Sequence, residues 1–256
     1  MNVQHAPRFL ETPASSDIVV FIHGFMGSPC QFDELAGAVH RLGCSAASLL
    51  LPGHGGSSGD FSSGTFARWQ GHVDAEISRL SCEYNNIWLA GHSMGGLLAI
   101  NAAVGSSGSV RGIFTLACPF KLITFSAHTA KVRVRQAFGG KNDPVKSAYL
   151  RNSSVSPSPG LIWHTRKPAA ELKILMSTAR SNLPNVRVPV TAVYSTSDEL
   201  TSIVSLDILK EELTGAKLAI VRLTESLHAY YTEKDQAVIE EALLGLIFSS
   251  GAPQTA

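Results

Sequence analysis

Six short apolar runs rich in β-branched residues recur along the chain, and stretches of helical period separate most of them: "IVVFIH" (18–23), "SAASLLL" (45–51), "IWLAGH" (87–92), "GIFTLAC" (112–118), "VTAVYS" (190–195) and "KLAIVRL" (217–223). Helices are expected at about 30–42, 65–82, 94–104, 203–213 and 235–248. Strands apolar on both faces and followed by helices demand cover on both sides, which means an α/β fold with a mostly parallel central sheet. The 256 residues suit a single domain large enough to bury a proper core.

The rhythm breaks between about 120 and 185, where no strand is expected and "SSVSPSPG" (153–160) reads as loop. A long interval of this kind inside a compact domain is usually a functional insertion, and here it is expected to be a small lid or cap. It is basic: Asp143 is the only acid over 119–170. Within it "KVRVR" (131–135) reads first as a solvated face, and second as an attraction for anionic substrates or a transient contact with lipid surfaces.

The net charge of +1 argues against nucleic acid as a partner. No apolar stretch approaches the length of a membrane span, and the first residues carry no signal-peptide pattern. Cys30, Cys44, Cys82 and Cys118 are scattered without a C-x-x-C pair, so neither a zinc site nor a disulfide framework is expected, and a cytoplasmic setting is. "GHGGSSG" (53–59) misses the dinucleotide fingerprint because Ser58 takes the last glycine position, and no P-loop lysine follows. "NSS" (152–154) is taken as a chance sequon.

The chemistry concentrates on "GHSMGG" (91–96), which joins the third apolar run to a helix. A sharp strand–turn–helix brings side chains two positions either side into collision. Gly91 and Gly95 remove that collision, Gly96 lets the helix approach the sheet, and Ser93 is held exposed in a strained conformation that suits a nucleophile. A serine needs a base, and the base an orienting carboxylate, at other strand ends. "TSDEL" after the fifth run supplies Asp198, with Glu199 as the alternative acid pointing the other way. "TESLHAYY" after the sixth supplies His228, while His92 is expected to face away and His54 to support a loop. The oxyanion donors are expected to be the N–H groups of Met94 and of Phe25 in "HGFMGSP" (23–29), with Met26 as the fallback. Phe25, Met26, Phe120, Ile123 and Trp163, among the apolar residues around the insertion (Leu122, Phe125, Phe138, Leu161 and Ile162 included), are candidates to line an acyl pocket.

Together, "FIHGFMGSP", "LLLPGHGGSSG", "GHSMGG", "YSTSDEL" and "LHAYYTEKD" resemble the α/β-hydrolase family over almost the whole chain, with Ser93, Asp198 and His228 in that family's order. The nearest resemblance is to small bacterial carboxylesterases and monoacylglycerol lipase-like enzymes. It implies acyl transfer to serine followed by hydrolysis, no metal or organic cofactor, a small-molecule ester as the partner, and a monomer or homodimer. Thioesterase, carbon–carbon bond hydrolase or slow-turnover binding protein remain open beside esterase, because all can keep the same triad. Sharing a fold does not by itself give function.

Overall fold

The apolar runs do pair as parallel strands. The computed structural model describes residues 5–106, 108–123, 126–155 and 160–249. Its sheet comprises β1 (Arg8–Leu10), β2 (Asp17–Ile22), β3 (Ser45–Leu49), β4 (Asn86–His92), β5 (Val110–Leu116), β6 (Val190–Ser195) and β7 (Leu218–Leu223), in the order β1-β3-β2-β4-β5-β6-β7. All ladders are parallel except β1 on β3, which pairs Phe9 with Ala47. That edge strand was not anticipated, since three residues carry no readable period.

Alternation along the central strands sends side chains to two separate cores. Ile18, Val20, Ile22, Leu89 and Ile113 face one side, with α3 (Phe66–Leu80), α4 (Met94–Gly105) and α8 (Val204–Glu212). Val19, Phe21, Trp88 and Phe114 face the other, against α1 (Asp33–Arg41) and α9 (Glu233–Ser249). Each fully buried Leu or Ile is worth about 1.5–3 kcal/mol of transfer free energy. Helix α4 is buried from Met94 through Ala102, which fits its mostly apolar sequence and its central place. The expected helix at 30–42 opens as a 3-10 turn, Pro29–Phe32, before α1, and a short α2 (Ser58–Ser62) follows β3.

The interval 120–185 is helical: α5 (Ala127–Phe138), α6 (Pro144–Asn152) and α7 (Leu161–Asn182). The Oγ of Ser126 accepts from the Thr129 N–H and a carboxylate oxygen of Asp143 from the Lys146 N–H, so the sequence caps α5 and α6 at their starts. Helix α7 contains Pro168 and packs on α4 and α2, with Leu175 and Ala179 fully buried in the first core. The C-terminal half of the interval thus packs closely against the rest of the molecule. Of the loop expected at 153–160, residues 156–159 lie outside the described residues, as does Phe125.

Candidate active site

Ser93 sits where β4 turns into α4, with φ 52° and ψ −119°. That left-handed conformation is strained for a residue with a Cβ and persists only where its surroundings enforce it. The Ser93 N–H donates to the Leu116 carbonyl at 2.8 Å, tying the turn to the end of β5. A Cβ on Gly91 would stand 2.3 Å from the Gly95 carbonyl carbon, and one on Gly95 would stand 1.9 Å from the Ile22 carbonyl oxygen. The turn closes only because neither residue has a side chain.

The loops after β6 and β7 bring the other two residues to the serine. His228 Nε2 lies 3.0 Å from Ser93 Oγ, and His228 Nδ1 lies 2.9 Å from Asp198 Oδ2. Because a carboxylate only accepts, Nδ1 carries the proton and Nε2 offers its lone pair to the serine hydroxyl. The second Asp198 oxygen accepts from the N–H groups of Leu200 and Thr201, each at 2.7 Å. All three residues are buried.

Burial works against charge on both His228 and Asp198, but their attraction and shared hydrogen bond prevail. The Asp198 carboxyl is held below the usual carboxylate range, and the His228 imidazole above the usual histidine value, with Glu199 adding to the latter. Around them, burial and the neighbouring His228 push His92 down to about 3, and burial pushes His54 down to about 4. Burial, aided by His54, also holds His23 well below its ordinary value. Of these four imidazoles only His228 is held toward its protonated form.

His92 does not face away as expected. Its ring stands 4.9 Å from that of His228, and its Nε2–H donates to the His228 carbonyl at 2.8 Å, so it braces His228. His54 supports a loop as expected, edge-on to His23 and Phe61 and tilted against Trp69. Glu199, fully buried, contacts the main chain of His228 and not its ring.

Among the described residues, neither the Phe25 N–H nor the Met94 N–H has a protein acceptor. Phe25 is half-buried and meets Phe61 edge-on at 4.9 Å. Met26 has φ 57°, and its carbonyl accepts from the Ser154 N–H. Phe120 is buried in the first core, with its N–H donating to Ser205 Oγ. Ile123 is half-buried, and its N–H donates to the Leu200 carbonyl. Trp163 is 71% exposed with Arg166 stacked on its ring, so it lines no enclosed pocket here, and Ile162 and Phe138 are likewise exposed. One cavity of about 180 Å³ lies beside the base loop and not over Ser93; His92, Arg151, Asn152 and Tyr230 contribute to its wall. Among the described residues no group of three or more His, Cys, Asp or Glu could hold a metal ion, and no helix is long and apolar enough to cross a membrane.

Sequence reasoning missed Thr201, whose N–H donates to Asp198, and Tyr149, whose phenol donates to Glu199 Oε1. Thr201 shows no signal by type, and Tyr149 lies in an insertion whose docking no local pattern reveals.

A mostly parallel sheet with serine, acid and histidine following β4, β6 and β7 has the layout of a lipase/esterase-like α/β-hydrolase. A model of the Alpha/beta hydrolase family matches residues 19–240, and the chain belongs to that family. It is 25% identical over 229 residues to a thermostable monoacylglycerol lipase of Bacillus sp. (strain H-257), covering 88% of each chain. Two solved structures share the fold. One comes from work on the metagenome-derived lipolytic enzymes LipS and LipT (TM-score 0.75, 21% identity, 96% of this chain and 98% of the other). The other is a Paleococcus ferrophilus monoacylglycerol lipase (TM-score 0.67, 19% identity, 93% of this chain and 98% of the other).

Proposed function

We propose that this chain is a serine carboxylic-ester hydrolase acting on short- to medium-chain acyl esters, monoacylglycerols included. The observation that carries the reading is the continuous relay from Ser93 Oγ through His228 to Asp198, at 3.0 Å and 2.9 Å. In this reading Ser93 Oγ attacks the ester carbonyl while His228 Nε2 takes its proton. The negative charge forming on the carbonyl oxygen is met by the N–H groups of Phe25 and Met94, which lack a protein acceptor among the described residues and so are free to donate. The protonated imidazole, held by Asp198, then gives its proton to the departing alcohol. Water, deprotonated by the same nitrogen, releases the carboxylic acid and restores the serine. The 25% identity with a monoacylglycerol lipase supports the ester class. A cytoplasmic setting suits the free cysteines Cys30, Cys44, Cys82 and Cys118.

The test is hydrolysis of p-nitrophenyl esters from acetate to palmitate, wild type beside Ser93→Ala. Turnover should peak at short or medium chains and fall by at least about 10³-fold in the variant. Equal rates in the two proteins, or no turnover by folded wild type at any chain length, would refute the reading.

A further inference from the structure

The two acids of "SDEL" hold the same histidine from opposite sides. Asp198 takes the ring. Glu199, 1% exposed, accepts the His228 main-chain N–H on Oε2 at 3.0 Å and the Tyr149 phenol of α6 on Oε1. The Tyr149 oxygen in turn accepts from the Ala229 N–H at 3.3 Å, and Asn152 at the end of α6 donates to the Ala229 carbonyl at 3.2 Å. From α5, Thr129 Oγ1 donates to the Glu199 carbonyl at 2.9 Å. An apolar cluster closes the same joint, with Leu227 packed against Val132 of α5 and Val145 of α6. Both inserted helices therefore end on the residues flanking the base, and a buried carboxylate is the node.

We infer that Glu199 is a positioning residue for the base, and that with Tyr149 it forms the joint through which α5 and α6 set where the His228 imidazole stands. This rests on reading Ser93, His228 and Asp198 as the catalytic relay. A buried carboxylate is tolerated only while its hydrogen bonds are complete. If α6 moves away, Glu199 loses a donor and the base loop loses its support. A displaced α6 and a competent base thus exclude one another. The charge matters as well as the shape. His228 is faced by Asp198 and Glu199 from the β6–α8 loop, His92 from the end of β4, Ser93 from the turn after it, Tyr231 from its own loop and Tyr149 from α6 through Glu199. Of these, Asp198 and Glu199 favour its protonated form by their charge.

The experiment is an NMR titration of the His228 imidazole in ¹³C-histidine-labelled protein, wild type beside Glu199→Gln and Tyr149→Phe. Steady-state ester kinetics against pH are measured on the same samples. Glu199→Gln keeps the shape but removes the charge, so the His228 midpoint should fall by about 0.5–1 unit and the acid limb of kcat/KM should follow it. Tyr149→Phe keeps the charge but breaks the joint, so kcat should drop about tenfold at little-changed KM. Amide exchange at 227–230 should also quicken in that variant. A Glu199→Gln midpoint within about 0.2 unit of wild type would overturn the proposal, because a merely structural glutamate would leave the imidazole unmoved. If Glu199→Gln does not fold, Tyr149→Phe decides: wild-type kcat and unchanged exchange at 227–230 would overturn it. The titration and the exchange need no turnover, so they read the joint even if wild type hydrolyses no ester.

Discussion

Gly95→Ala tests whether the turn at Ser93 is closed by steric necessity. An added Cβ would sit 1.9 Å from the Ile22 carbonyl oxygen, 2.6 Å from its carbon and 2.8 Å from the His23 carbonyl oxygen. All three are main-chain atoms at the end of β2, so no side chain can rotate out of the way. To reach even the shortest tolerable contact, near 3.0 Å, the Ile22 oxygen must retreat by more than an ångström. Overpacking of this kind costs about 1–3 kcal/mol, and a clash with main chain belongs at the top of that range. For a domain of this size that lowers Tm by about 6–12 °C. Because β2 leads directly into the Phe25 loop, the same shift moves the proposed oxyanion donor, and turnover should fall about 100-fold. The control is Gly71→Ala, on an exposed part of α3 where the new Cβ meets nothing within 4 Å. There alanine should stabilise by about 0.5–1 kcal/mol and leave turnover unchanged. Thermal melts and p-nitrophenyl acetate turnover on both variants decide the matter. A Gly95→Ala protein that melts with the wild type and hydrolyses as fast would refute the steric account.

Activity and stability should diverge with pH. With the His228 pKa raised above 6.5, kcat/KM should fall as pH drops through a value above that of an ordinary histidine, measurable as the acid limb of a pH–rate profile. The same shift stabilises the fold fully below pH 6.5, and that contribution is lost as pH rises through the folded value; Asp198, shifted down, stabilises above about pH 3.8 and loses its contribution in stronger acid. A pH–rate limb at or below 6.5 would contradict the ion pair. Tyr194→Phe should cost about 1–2 kcal/mol in denaturant melts, because the buried phenol donates to the Cys118 carbonyl at 2.7 Å and its loss strands that oxygen. An unchanged midpoint would show that the carbonyl finds another donor.

The central strands were legible because burial on both faces leaves continuous apolar runs, and β6 falls at 190–195 as read. The nucleophile's turn was legible because glycine spacing records a collision between main-chain atoms. Harder to see were β1, too short for a period, and α5–α7, whose mixed polar faces and internal Pro168 blur the helical repeat. Within the site, the pairing of Asp198 with His228 followed from strand order. The roles of His92 and Glu199 did not, since both depend on which way a buried side chain turns within a loop.

Ser93 and His228 meet across 135 residues of chain. At a synthesis rate of about 5–20 residues per second, the serine emerges from the ribosome roughly 7–27 seconds ahead of its base. The nascent chain holds β2, β4 and the glycine turn from the start of that interval, whereas β6 and β7 are added only in its last part, just before His228. Until then the Ser93 hydroxyl lacks the His228 imidazole, so the relay from Ser93 to His228 and Asp198 can form only once the sheet has been completed.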